Sequence, residues 1–225
     1  MGDIYTNSML KDWHQCRRKY YYKYEKNIVI PKKEDNFELG KKVHALISYK
    51  LNGFETTLLE KTASEDVLKH YKSLLKSNLL SLPPVLVEWG FSTAIGQSAD
   101  RFLGRIDAVF YDEINKKYII ADWKTGMNIP KIPLVDIQAQ IYCYAFYKCR
   151  RDLKLDISPE NIIFKFIQTP SLQETVLEFS AELLERFEIE FLNAISEIKT
   201  YKFNDIPQEN PSCKFCEYKF LCFKN

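Results

Sequence analysis

The chain has 225 residues, 46% hydrophobic and 28% charged, with seven glycines and nine prolines. That composition excludes a disordered, collagenous or coiled-coil protein. No run approaches the roughly 18 consecutive apolar residues of a membrane span. The opening Met1-Gly2-Asp3-Ile4-Tyr5 lacks the basic-then-apolar order of a signal peptide. Gly2 and Thr6 fit only the loose myristoylation pattern, so the expectation is a cytoplasmic chain that meets no membrane. Net charge is only +2, but it is unevenly spread. Eight Lys/Arg and two acids fall between Lys11 and Lys33, interleaved with Trp13, Tyr20, Tyr21, Tyr22 and Tyr24. Such a segment suits a surface that tracks a phosphate backbone and stacks bases. It equally suits a helix with aromatic core residues and solvated lysines.

Asn7 or Ser8 could cap a first helix reaching about Tyr24. A second helix is predicted over Phe37–Leu51, with Leu39, Val43, Leu46 and Ile47 at core spacing. A third follows from Ser64 to Leu80, stopped by Pro83-Pro84. Val85–Ile95, Phe102–Tyr111 and Tyr118–Trp123 then read as a meander of three strands separated by turn residues. A helix over Leu134–Arg151, strands near Ile162–Gln168 and Thr175–Phe179, and a helix over Ala181–Thr200 complete an α/β pattern. A short cysteine-rich segment follows.

Two of the strands carry an acid where an apolar residue is expected. These are Asp107 in Gly104-Arg105-Ile106-Asp107 and Asp122 in Ile120-Ala121-Asp122-Trp123-Lys124. A buried lone carboxylate is costly unless paired or bound to a cation. Alternation along the strand puts Asp122 and Lys124 on one face. Two acids and an ammonium would then converge, either as a structural ion pair or as a site for Mg²⁺ or Mn²⁺. Such an ion lowers the pKa of a bound water, and a lysine can orient that nucleophile. Glu88 is a further acid in an apolar run, and His44 lies beside the apolar stripe of the second helix, a core group or an additional ligand. Gln138 and Tyr142, four apart on one helix face, could bond the lysine or a phosphate, or could simply be surface.

Gly104-Arg105-Ile106-Asp107, Asp122-Trp123-Lys124-Thr125-Gly126 and Gln138-Ala139-Gln140-Ile141-Tyr142, with His44 upstream in Gly40-Lys41-Lys42-Val43-His44, resemble the RecB-like branch of the PD-(D/E)XK nucleases. That branch carries G-x-x-D, D-[YW]-K-T-G and Q-x-x-x-Y in this order. The resemblance implies metal-dependent hydrolysis of DNA phosphodiesters on a restriction-endonuclease-like core, a central mixed sheet flanked by helices. Asp107 and Asp122 would hold the ion, helped by His44 and the Trp123 carbonyl. Lys124 would be the catalytic lysine, and Gln138, Tyr142 and, more loosely, Glu88 would support it.

Cys213-x2-Cys216-x5-Cys222 is a metal-binding spacing that lacks one ligand. Cys16, almost two hundred residues upstream, is the best fourth candidate and His14 a weaker one; Cys143 and Cys149 read as core thiols. Pro207 and Pro211 flank this segment. One distant cysteine with a C-terminal triplet is similar to the iron–sulfur members of the same branch, including the CRISPR-associated exonucleases and certain helicase–nucleases. Their S-x-L-x-x-[WF]-x-x-C-[PR]-R-[KR]-[YF] opening is matched by Ser8 through Tyr20, with small departures: Leu10 follows Met9, and Arg17 stands where Pro is commoner. The resemblance implies a [4Fe–4S] cluster on Cys16, Cys213, Cys216 and Cys222 that staples distant parts of the chain.

The expectation is therefore one nuclease domain over 1–225, comprising a helical region 1–82, a core 83–200 and a cysteine-rich tail 201–225. It would act on single-stranded DNA or DNA ends in CRISPR adaptation or DNA repair, with CRISPR or helicase partner proteins. Arg17, Arg18, Lys19 and Tyr20 would border the DNA channel. The competing readings are a non-catalytic or partner-activated DNA-binding module and a zinc-stabilised interaction domain.

Overall fold

The computed structural model describes residues 2–31, 35–203 and 209–223. Lys32, Lys33 and Pro207 lie outside them. The chain forms β1 (Ile4–Tyr5), α1 (Asn7–Gln15), α2 (Arg17–Tyr20), α3 (Asp35–Leu51), α4 (Thr57–Thr62), α5 (Glu65–Leu74), β2 (Pro84–Ala94), β3 (Arg101–Asp112) and β4 (Lys117–Lys124). Then come α6 (Ile137–Lys148), β5 (Ile162–Gln168), β6 (Glu174–Glu178), α7 (Ala181–Thr200) and α8 (Lys219–Cys222). Among the described residues, no helix is long and apolar enough to cross a membrane.

The sheet is mixed, in the order β1-β3-β4-β5-β6, with β2 also paired to β3. β1/β3 and β4/β5 are parallel and the other pairs antiparallel. Arg101 pairs with both Ala94 and Ile4, and Ala108 with both Val87 and Ala121. β1 and β4 therefore share the edge of β3 opposite β2, one at each end, and leave the middle of that edge open.

Residues of α1, α6 and α7 cover one face with Phe102, Ile106, Val109, Ile120, Phe164 and Phe166. Residues of α3 and α5 cover the other with Ala108, Phe110, Ala121, Trp123 and Ile167. β4 reads as a continuous apolar run because both its faces are covered. α6 is buried from Ala139 to Phe146, as a helix apolar on all sides must be. Its start is set by Asp136, whose carboxylate accepts the N–H groups of Gln138 (2.9 Å) and Ala139 (3.3 Å). α7 shows the narrower stripe Phe187, Phe191, Ala194, Ile195, Ile198. Gly104 faces the buried Phe91, whose ring carbon would lie 2.5 Å from an added Cβ. Gly104→Ala is expected to lower stability by about 1–3 kcal/mol through overpacking, read as a lower urea midpoint; an unchanged midpoint would show that the ring can yield.

Three expectations change. The first helix is broken at Cys16, whose extended backbone (φ −166°, ψ 114°) separates α1 from α2. Its cap is Thr6, which accepts from Met9 N–H at 3.3 Å, rather than Asn7 or Ser8. The third helix is two helices, α4 and α5, followed by a 3-10 turn over Asn78–Ser81. The short β1 escaped notice because two residues show no periodicity.

The basic, aromatic segment is largely structural. Tyr20 is 2% exposed and meets Trp13 edge-on at 5.2 Å, so it offers no face to a base. Arg17 lies over the Trp13 ring at 4.3 Å and pairs with Glu197 of α7 at 3.0 Å. Arg18 donates to the Phe203 carbonyl at 3.1 Å. Buried Asp12 takes Lys19 at 2.8 Å, Lys23 at 2.7 Å and the Tyr24 hydroxyl at 3.0 Å. Burial alone would push its carboxyl up, but the hydrogen bonds and charges of Lys19 and Lys23 win and hold it below the usual carboxylate range. A depressed folded value contributes stability that is complete above the unfolded value of about 4 and is lost as pH falls through the folded one. Asp12→Asn should thus be destabilising at pH 7, with the difference from wild type shrinking toward pH 3 in urea titrations. A gap independent of pH would remove Asp12 from the acid transition.

Candidate active site

β3 and β4 pair from Asp112↔Lys117 up to Ala108↔Ala121 and then part. The next residues along are Asp107 and Asp122. Where the ladder stops, the Trp123 N–H is taken by the Asp107 carboxylate at 2.9 Å. Both acids are buried, Asp107 9% and Asp122 2% exposed. In register the two acids stand opposite one another, so where the strands part both carboxylates remain side by side at the opening.

Each acid has its own surroundings. On the α3 side, His44 Nδ1 is 3.4 Å from Asp107 and its Nε2 is 3.0 Å from the Trp123 carbonyl oxygen. Burial works against a charged His44, but Asp107, helped by Asp122 and the Trp123 carbonyl, carries its pKa up to about 9. Glu88 stands opposite Asp107 in the β2/β3 register, between Val87↔Ala108 and Trp89↔Ile106. Its φ of 49° lies in the left-handed region, at a cost of roughly 1 kcal/mol or more for a residue with a side chain. Burial and the charge of Asp107 push the Glu88 carboxyl up, and Arg105, 3.0 Å away, opposes them. Ligand atoms of His44, Glu88 and Asp107 lie within 4.8 Å of one another.

On the α6 side, Lys124 Nζ is 2.6 Å from Asp122 Oδ2 and donates to Gln138 Oε1 at 2.8 Å. Gln138 Nε2 donates to Asp122 Oδ1 at 2.7 Å and to the Tyr142 hydroxyl oxygen at 3.0 Å. Burial first and Asp107 second push the Asp122 carboxyl up, with Lys124 and His44 pulling it back. Buried Asp122 Oδ2 is thus met by the Lys124 ammonium alone among side chains, as an ion pair. Two buried carboxylates with so few donors, beside a His–Glu–Asp group, fit a hard divalent cation, which takes oxygen ligands and keeps waters. The donor chemistry therefore suits Mg²⁺ or Mn²⁺.

His44, Glu88, Arg105, Asp107 and Tyr142 line a cleft of about 870 Å³ walled by α3, β3 and the start of α1, with Asp122, Lys124 and Gln138 bonded behind them. The structure brings together every residue the sequence placed at this site: His44, Glu88, Asp107, Asp122, Trp123, Lys124, Gln138 and Tyr142. Arg17, Arg18, Lys19 and Tyr20 do not line the cleft. Sequence reasoning passed over Arg105, whose partnership with Glu88 depends on a backbone twist, and Tyr49 and Leu103 on the rim, which carry no motif.

The cysteines gather elsewhere. Cys16, Cys213 and Cys216 line a cavity of about 310 Å³ together with Lys19. Cys222 is within electrostatic reach of Cys16 and Cys216; burial first, then those thiols, pushes its own thiol up. The Tyr22 hydroxyl donates to the Leu221 carbonyl at 3.1 Å and that of Tyr218 to Ile28 at 2.8 Å, fixing the tail against the N-terminal segment. All six cysteines are free thiols. Three of the four thiols thus share one cavity, and among the described residues no three cysteine sulfurs lie within 4.8 Å of one another. His14 instead lines a separate cavity beside Glu190 and Glu197 and is not a fourth ligand. Cys143 and Cys149 are buried in the core.

A mixed sheet that parts to present two acids and a lysine over a cleft defines a nuclease-type hydrolytic site. The chain belongs to the PD-(D/E)XK nuclease superfamily, whose profile matches residues 5–223. Among solved structures, a candidate exonuclease from Eubacterium rectale shares the fold, with a TM-score of 0.53 at 8% identity over 96% of this chain and 86% of that one. The crystal structure of SSO0001 matches with a TM-score of 0.49 and 19% identity over 99% of this chain and 86% of that one. No curated protein matches the chain by sequence.

Proposed function

We propose that this protein is a divalent-metal-dependent deoxyribonuclease acting on single-stranded DNA or DNA ends. The observation that carries this reading is the convergence of Asp107, Asp122 and Lys124 where β3 and β4 part, beside the His44–Glu88–Asp107 group. Asp107, Asp122, His44 and Glu88 would hold Mg²⁺ or Mn²⁺, and the Trp123 carbonyl is within reach of the same spot. When bound, such an ion supplies Lewis-acid charge to the phosphate and acidifies water in its shell.

The residues of the chain do the rest. Lys124 Nζ orients the attacking water or meets negative charge growing on the phosphate. Gln138 bonds Lys124 and Asp122 at once and so fixes their spacing. The Tyr142 hydroxyl holds the Gln138 amide in that orientation. The test is incubation of single-stranded and duplex DNA with Mn²⁺ or Mg²⁺. Degradation should need the ion and vanish with Lys124→Ala. Equal inactivity of both proteins, with the ion present, would favour a binding or partner-activated role.

The motif order supports the RecB-like branch, and the chain is read as one cytoplasmic nuclease domain. Cys16, Cys213, Cys216 and Cys222 would carry a [4Fe–4S] cluster. CRISPR adaptation or DNA repair is the proposed setting, with adaptation or helicase proteins as partners.

A further inference from the structure

The cleft continues beyond the acids as a groove. On the α3 wall, Lys41, Ala45 and Ser48 fall on the stripe that also carries His44, and Tyr49 stands at its far end. On the opposite wall Leu103, Arg105 and Asp107 alternate onto one face of β3. Tyr49 and Leu103 are 48% and 46% exposed and stand at the mouth of this charged cleft. The Tyr49 ring is braced by Phe54, with centroids 5.7 Å apart and planes at 57°.

We propose that Tyr49 and Leu103 form a subsite that grips the face of one unpaired nucleobase of the substrate strand. The inference rests on the nuclease reading of the same cleft. Small residues leave the groove floor open, while Lys41 and Arg105 supply positive charge for the strand's phosphates. Lys41 now pairs with Glu38 and Arg105 with Glu88, both at or near the surface, where a phosphate can compete. Tyr49 lies five residues from His44, about 7.5 Å along the helix axis. That is about two stacked nucleotide steps of 3.4 Å from the metal-binding group. Bases inside a duplex have both faces covered, so this subsite accepts only a single strand or a frayed end. Specificity for unpaired DNA is thereby assigned to two side chains outside the catalytic motifs.

The test is a walk of single abasic positions along a fluorescent single-stranded oligonucleotide, with Ca²⁺ in place of Mg²⁺ or Mn²⁺ and the absence of cleavage checked on gels. Wild type should lose affinity at least about fivefold when the missing base falls at one position near the second nucleotide from the cut, given the usual worth of a base–aromatic stack. Tyr49→Ala should lose a similar factor on intact DNA and become indifferent to the abasic position. Tyr49→Phe, which keeps the ring, should behave as wild type. A flat walk in an otherwise Lys124-dependent nuclease would overturn the subsite and leave the function standing. A wild type that neither binds nor cleaves DNA would overturn both.

Discussion

Lys124→Ala is expected to reduce metal-dependent DNA cleavage by about 10²–10⁴-fold, the worth of a positioned proton-transfer or charge-stabilising group, while DNA binding survives. The geometry explains why the loss should be specific. Lys124 Nζ sits against Asp122 at 2.6 Å, donates to Gln138 at 2.8 Å and lies 5.1 Å above the Phe166 ring. It is held on three sides, so its ammonium has one fixed position at the site. The fold should persist, because Asp122 retains its Gln138 bond and, already pushed up by burial and Asp107, can take a proton. Gel-based cleavage, binding by anisotropy and a circular dichroism melt on the same preparation separate the outcomes. Cleavage within tenfold of wild type by a folded variant would remove Lys124 from the chemistry. Lys124→Arg should not rescue, since a planar guanidinium cannot reproduce a compact ammonium in this pocket.

Cys16→Ala is expected to bleach the protein and to destabilise it severely. Cys16 is brought to Cys213 and Cys216 only because the backbone turns extended between α1 and α2. A cluster there would close a loop of almost two hundred residues. Treated as a cross-link, that closure is worth about 5 kcal/mol in the chain-entropy account. Anaerobically purified wild type should absorb at about 400 nm from thiolate-bound iron and contain iron in proportion; the variant should do neither and should unfold at much lower denaturant. A colourless wild type carrying zinc would replace the cluster with a d¹⁰ ion. Loss of colour with no loss of stability would show that the tail is held by other contacts, such as Tyr22 and Tyr218.

How much of this was legible in the sequence differs from element to element. β5 and α7 appear at the predicted residues because apolar runs and a 3.6-residue stripe encode them locally. The common face of Asp122 and Lys124 follows from strand alternation alone, and the motif order carried the family. The break at Cys16 was hidden, because a helical pattern continues on both sides of a residue whose backbone is extended.

By itself, then, the sequence determined the succession of elements, the acids embedded in apolar strands and the spacing of the cysteines, since each depends on residues close along the chain. Only the tertiary structure decided that β3 and β4 part at Asp107, that Glu88 twists to face it and that His44 arrives from α3. It alone committed Tyr20 and the basic residues of α2 to packing against Trp13, Asp12 and α7, and left Tyr49 and Leu103 facing each other's groove. Those outcomes depend on which buried charges find partners and which strand edges stay open, competitions settled between segments distant in sequence.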